Sequence, residues 1–368
     1  MKPKKQTPDL VIVTAIILLL SIGVLMVYSA SAAFAYHKYD DAFFFAKRQV
    51  LFASLGVFLM FLIAKIDPSK FREWAKPSIV ICFILLLTVL IPGVGILRNG
   101  ARSWLGIGAF SIQPSEFMKL AMILFLARMF SNPDYDIKHF TRGFLPGLLL
   151  LGTAFGLIML QPDLGTGTVL MGAGVVLIFA AGARKKHLAF FFLLGVVGFV
   201  MLVLAAPYRI QRIVAFLNPW QDPLGAGYHL IQSLYAIGPG GLMGLGLGMS
   251  KQKHLYLPEP HTDFIFSILA EELGFLGAAT VILLFAILVW RGIRVAIGVP
   301  GLFNSLVATG ITAMIIIQAV INIGVVSGAF PVTGITLPFL SYGGSSLTLT
   351  LAAVGILMNL SRFVRKST

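Results

Sequence analysis

The chain carries about ten apolar stretches of roughly 20 residues, the length a helix needs to cross a bilayer. They fall at about 10–30, 46–64, 77–96, 115–130, 143–160, 165–182, 188–206, 264–290, 302–328 and 345–361. No water-soluble fold of 368 residues hides so many of them. In lipid every backbone N–H and C=O must find a partner within the chain, and a helix provides that. Composition agrees, with 58% hydrophobic and 11% charged residues against about 25% charged in soluble domains. The expected fold is an all-α polytopic membrane protein with about ten transmembrane helices in one domain, 1–368. The basic start Met1-Lys-Pro-Lys-Lys5 precedes a run too long for a signal peptide and without a clear cleavage motif, so it is read as a retained first span.

The cations set the orientation. Of 28 Lys and Arg, 18 fall on the side that holds both termini and 10 on the other. By the positive-inside rule, the N- and C-termini are cytoplasmic. A net charge of +14, scattered between apolar runs with no basic stripe, reads as contact with membrane lipids, not nucleic acid. The single cysteine, Cys82, lies in an apolar run and reads as a buried thiol. Two outer loops, about 97–114 and about 207–263, are long and rich in Gly, Pro, Trp and charge, and long loops on a rigid scaffold are where chemistry tends to sit. The larger one joins spans seven and eight.

The richest stretch runs from Tyr256 to Gly274. Asp263 stands where the outer loop meets span eight. It either caps the helix, alone or with Thr262, or serves as a base to a substrate arriving from outside; the two roles are compatible. Glu271 and Glu272 follow roughly 12 Å further along a continuous helix, where a structural ion pair is the favoured role. Gln113-Pro-Ser-Glu116 and Gln161-Pro-Asp163 open two helices with ordinary capping chemistry, and Glu116 can pair with Lys119 along one face. Arg98 and Arg102 flank Trp104's loop and suit either phosphate contacts or interfacial anchoring. The glycines of 237–248 lack a nucleotide-binding ending and read as a flexible or re-entrant segment, and 227–236 is amphipathic. Glu259, His261 and Asp263 alternate, a weak metal signal.

Taken together, Arg102-Ser-Trp-Leu-Gly106, Gln113-Pro-Ser-Glu-Phe-Met-Lys119, Gln161-Pro-Asp-Leu-Gly-Thr-Gly167, Asn218-Pro-Trp-Gln-Asp-Pro223, Pro258-Glu-Pro-His-Thr-Asp263 and Gly334-Ile-Thr-Leu-Pro-Phe-Leu-Ser-Tyr-Gly-Gly-Ser-Ser346 resemble the SEDS (shape, elongation, division and sporulation) family of FtsW and RodA type, its sporulation branch above all. The resemblance covers nearly the whole chain. It implies a peptidoglycan glycosyltransferase that polymerises lipid II on the outer face of the bacterial cytoplasmic membrane, during division or spore cortex synthesis. It implies Asp263 as the catalytic carboxylate and Trp104, Glu116, Lys119 and Asp163 as positions that act in the reaction or shape the cavity; Arg98, Arg102, Ser341 and Ser345 are read beside them as substrate-binding candidates. It also implies lipid II and an undecaprenyl-linked glycan strand as ligands, a class B penicillin-binding protein (a transpeptidase) as partner, and a divalent cation, Mg or Mn, with no site identified. The reaction needs a base for the attacking sugar hydroxyl and positive charge for the departing pyrophosphate. The outer acids and cations offer both, which weighs against a lipid II flippase and a non-enzymatic scaffold for cell-wall enzymes.

Overall fold

The structure, a computed structural model, describes residues 7–98, 101–107, 110–204 and 207–364. Helices α1 (Leu10–Tyr39), α2 (Phe44–Ile63) and α3 (Pro68–Leu90) come first. Then follow strands β1 (Ile96–Arg98), β2 (Ala101–Ile107) and β3 (Phe110–Ile112). Helices α4 (Pro114–Phe130), α5 (Leu145–Met159), α6 (Leu164–Ala180) and α7 (Lys185–Leu204) lead to two short helices, α8 (Pro207–Leu217) and α9 (Tyr228–Ile237). The chain closes with α10 (Ile265–Gly298), α11 (Leu302–Val326) and α12 (Gly344–Ser361).

Each expected span coincides with a helix. Among the described residues, seven helices are long and apolar enough to cross a membrane, and α6 is an apolar helix of 17 residues. One feature departs from the all-helical expectation, and one adds a helix between the spans. The loop 97–114 folds into a three-stranded antiparallel sheet, with Leu97 opposite Arg102 and Leu105 opposite Ile112. The large outer loop contains α8, whose apolar Ile210, Val214 and Leu217 recur at helical spacing beside Arg209 and Arg212.

Helices α11 and α12 form the centre. In each, 67% of the apolar window is buried, against 28% in α2, α3 and α10. Small residues let the backbones close up. A Cβ on Gly355 would stand 2.6 Å from the Met60 carbonyl oxygen, so α12 and α2 cross in near contact. At one end of this pair, the Asn359 amide donates to the carbonyls of Ala64 (3.0 Å) and Ile66 (2.6 Å), capping α2. Nearby, Asp9 starts α1 by accepting from Val11 N–H and also accepts from Arg291 Nε at 2.7 Å.

Helix α10 is broken at Gly274 (φ 65°, ψ −162°), a conformation open to glycine alone. The break frees backbone groups, and the glycine-rich segment satisfies them. Leu245 and Gly246 N–H donate to the carbonyls of Glu271 (2.9 Å) and Glu272 (3.0 Å), while Phe275 and Leu276 N–H donate to Gly241 (2.8 Å) and Leu242 (3.2 Å). A side chain at Gly244 would meet the Glu272 carbonyl oxygen at 2.1 Å, so the glycines are there to let the strap lie flat. The strap is anchored by charge as well. Glu272 Oε1 sits 2.9 Å from Lys253 Nζ and accepts from Ser29 of α1 at 2.7 Å, while Glu271 accepts from Ser250 Oγ (2.5 Å) and Lys251 N–H (2.9 Å). The structural ion pair expected of these acids is present, with Glu272 as its member.

Candidate active site

Asp263 does not cap α10. The helix begins one residue later than spacing suggests, behind Phe264, which makes no side-chain cap. The main chain of Asp263 is held instead by α11, where Asn322 Nδ2 donates to its carbonyl at 2.8 Å. The same amide donates to Ile335 O at 2.6 Å, in the loop that joins α11 to α12. That loop runs beside the carboxylate, since a Cβ on Gly334 would lie 3.5 Å from Asp263 Oδ2. Among the described residues, nothing hydrogen-bonds the carboxylate. Burial pushes it up to about 7, the negative charges of Glu259 and Asp163 push the same way, and Arg212 opposes them. A base in that position is half ionised near neutrality and ready to take a proton.

Sequence spacing leaves open whether the two helix openings converge with Asp263. The structure brings them together. Asp163 caps α6 through Thr166 N–H (3.0 Å), as expected, and accepts from Gln113 Nε2 (2.7 Å) and Ser115 Oγ (3.3 Å) at the start of α4. Its charge bears on Asp263 across the space between them, and burial raises its own carboxyl.

Lys119 pairs with Glu116 at 2.8 Å, as the spacing predicts, but the pair is enclosed, with Lys119 only 2% exposed. Lys119 Nζ also meets Gln318 Oε1 of α11 at 2.9 Å. It therefore lies inside the protein and offers no open phosphate contact in this conformation. Arg102 and Trp104 sit part-buried on β2, and the stem of Arg102 lies over Gly95. The side chain of Arg98 falls outside the described residues. The cation whose charge reaches Asp263 is Arg212 on α8, which also donates to Val332 O at 3.3 Å.

Ser341 serves the loop. Its hydroxyl donates to Thr262 O (2.6 Å) and accepts from Leu337 N–H (2.8 Å), tying the α11–α12 loop to the residue before Asp263. The hydroxyl of Ser345, on the first turn of α12, is enclosed and without a hydrogen-bond partner. His261 is 4% exposed, its ring 4.3 Å from that of Phe45, and burial pushes it down to about 4, so it is a neutral wedge at physiological pH. Among the described residues, no three His, Cys, Asp or Glu side chains gather to hold a metal ion.

Two residues here were not singled out from sequence. Gln318 and Asn322 lie four apart in the apolar second half of α11, so they share one face. Polar side chains placed that way inside a membrane helix mark a functional or tethering face.

Residues 9–366 match the cell cycle protein family of FtsW, RodA and SpoVE. The chain is 63% identical to stage V sporulation protein E of Bacillus subtilis (strain 168), covering 99% of this chain and 100% of that one. It is 43% identical to a probable peptidoglycan glycosyltransferase FtsW of Geobacter metallireducens, over 96% and 94% of the two chains. Among solved structures, it resembles a chain of a peptidoglycan synthase complex that coordinates polymerization and crosslinking, with a TM-score of 0.80, 32% identity and 96% and 98% coverage. It also resembles the rod shape determining protein RodA of Thermus thermophilus, with a TM-score of 0.72, 30% identity and 98% of each chain covered. By sequence and by fold, the chain belongs to the FtsW, RodA and SpoVE family, the SEDS proteins.

Proposed function

We propose that this protein polymerises lipid II into glycan strands at the outer face of the bacterial cytoplasmic membrane, with Asp263 as general base. One observation carries the reading: an aspartate with no hydrogen-bonded partner on its carboxylate, its proton affinity raised to about 7, stands at the mouth of a helical bundle. The names of its relatives support the same chemistry. The ten-span topology, with both ends in the cytoplasm, rests on the cation bias and puts this mouth outside.

The reaction then runs as follows. The acceptor sugar hydroxyl attacks the anomeric carbon of the donor, forming the new C–O bond as the bond to undecaprenyl pyrophosphate breaks. Asp263 takes the hydroxyl proton, and the pyrophosphate leaves with the electron pair. Arg212, with Arg102 on β2, supplies positive charge for that departing group. Asp163 and Glu259 keep Asp263 basic enough to accept the proton. A divalent cation, Mg or Mn, would bind the substrate's pyrophosphate and would supply further positive charge for its departure. A class B penicillin-binding protein is the proposed partner, in keeping with the crosslinking synthase complex that the fold resembles.

The break in α10 is a feature that lipid transporters also use, so a flippase is the second reading. Here, though, four backbone hydrogen bonds tie the break to the strap, and Glu272 is paired with Lys253. The deciding experiment incubates the purified protein with lipid II and sizes the products on a gel. Polymer from the native chain and none from Asp263→Asn supports the assignment. Transport of lipid II across vesicles without elongation would replace it with the flippase, and neither activity with the scaffold.

A further inference from the structure

The face of α11 that carries Gln318 and Asn322 explains how an enclosed ion pair and a half-buried aspartate belong to one site. Lys119 has only hydrogens to offer, so Gln318 must turn its oxygen toward it. That fixes the other end of the amide, and Gln318 Nε2 donates to Thr336 O at 3.0 Å. One turn along, Asn322 Nδ2 holds the adjacent carbonyl of Ile335 at 2.6 Å and that of Asp263 at 2.8 Å. Both amides are buried, with 2% and 1% exposure. A continuous set of contacts therefore leads from Glu116 and Lys119, through Gln318, to residues 335 and 336, and through Asn322 to the main chain of Asp263.

We propose that Gln318 and Asn322 are positioning residues for the transfer, fixing Asp263 and the Gly334 loop as one unit, and that the Glu116–Lys119 pair acts through Gln318 without touching substrate. The inference rests on Asp263 being the base. Freed from Asn322, the main chain at 262–264 can swing its carboxylate toward water, and the Gly334 backbone no longer covers it. The charged and titratable groups that face Asp263 are Glu259 in its own loop, Asp163 at α6 and Arg212 at α8. His261 precedes it, and His229 of α9 lies against Phe264 at 5.9 Å between ring centroids. None of these is altered by changing Asn322, so a change in the proton affinity of Asp263 reports its position.

The test is the pH profile of lipid II polymerisation by Asn322→Leu and Gln318→Met, with KM and kcat separated. The second variant adds no charge, leaves Lys119 partnered by Glu116 and removes the donor to Thr336. Loss of alignment by about 1 Å should lower kcat on the order of 10²-fold while KM holds. The acid limb should move to lower pH by about one unit or more as the carboxylate regains water. Asn359→Leu, at the capped end of α2, is the control for a merely structural loss and should leave the limb in place. If Asn322→Leu does not fold, Gln318→Met decides alone. An unmoved acid limb, or a rise in KM with kcat intact, overturns the inference while the role of Asp263 stands. If Asp263→Asn in the same assay still polymerises lipid II, the assignment of the base itself has failed.

Discussion

Replacing Asp263 with Asn should stabilise the protein while it abolishes turnover, and the two effects have one cause. In the unfolded chain the carboxyl ionises near its ordinary value of 3.8, and in the folded protein near 7. Between those values the folded state holds a proton that the unfolded state has released. The contribution of Asp263 to stability therefore falls as pH rises through that window, and the whole penalty is present above it. A shift from 3.8 to about 7 corresponds to roughly 4 kcal/mol, which the partial exposure of the side chain trims toward 2. Asn has the same shape and never ionises. The assay is thermal unfolding in detergent, comparing the two proteins from pH 4 to pH 8. Their difference should grow from near zero to about 2–4 kcal/mol in favour of Asn. Over the same series, polymerisation by the native chain should rise with pH through about 7, and the Asn variant should lose about 10²- to 10⁴-fold in rate. A stability difference that stays flat with pH, or an Asn variant less stable at pH 8, would refute the argument that burial holds this proton.

Other outcomes follow from the fold. Gly274→Ala forces a Cβ within 2.3 Å of Gly244 N at a φ of 65°, so it should lower the unfolding free energy by about 1–3 kcal/mol or more in a detergent melt. An unchanged midpoint would mean that the strap is not clamped there. Lys253→Met strands Glu272 in a buried site and should cost about 3–5 kcal/mol, with much of the loss recovered when Glu272→Leu is added. Single losses that simply add would show that the pair is not coupled. In a background lacking Cys82, Lys251→Cys should react with an impermeant thiol reagent from outside intact cells, and Lys186→Cys only after permeabilisation; the reverse pattern would place Asp263 in the cytoplasm.

The helices were legible because each needs a long apolar run, and that signal survives any tertiary context. The sheet was not. Its strands are three to seven residues long, and their pairing is fixed by contacts beyond the local pattern. The hairpin signal Asn99-Gly100 stands between the first two strands, yet inside a polar loop it is weak beside the spans. At the site, Asp263, Asp163, Glu116 and Lys119 are visible as residues, because charge near an apolar boundary is rare. Their mutual arrangement is not visible. The Glu116–Lys119 spacing correctly gives the pair, but only the packing of α4 against α11 shows that Gln318 closes over it. The start of α10 was misjudged by one residue, enough to turn a capping carboxylate into an unbonded one, since the capping rule acts on a single position.

The break at Gly274 falls within a helix too long for one span. As one unbroken rod, the 34 residues of α10 would run about 51 Å, far more than a hydrocarbon core of about 30 Å. Counting about 20 residues back from Arg291, at the proposed cytoplasmic end, reaches Glu271 and Glu272. On the proposed topology the two acids stand at the outer rim, and the half-helix 265–273 rises above it with Asp263 at its head. A half-helix above the lipid has no bilayer to hold it. The strap and the Lys253–Glu272–Ser29 contacts bind it on one side to α1, and Asn322 with the Ser341 loop binds it on the other to α11 and α12. A base that must meet a lipid-tailed substrate in the headgroup zone requires both properties, height above the acyl chains and a rigid mount. Gly240 and Gly244 supply the mount, since a Cβ on either would stand 2.1 Å from a carbonyl oxygen of the half-helix, that of Ala270 or of Glu272.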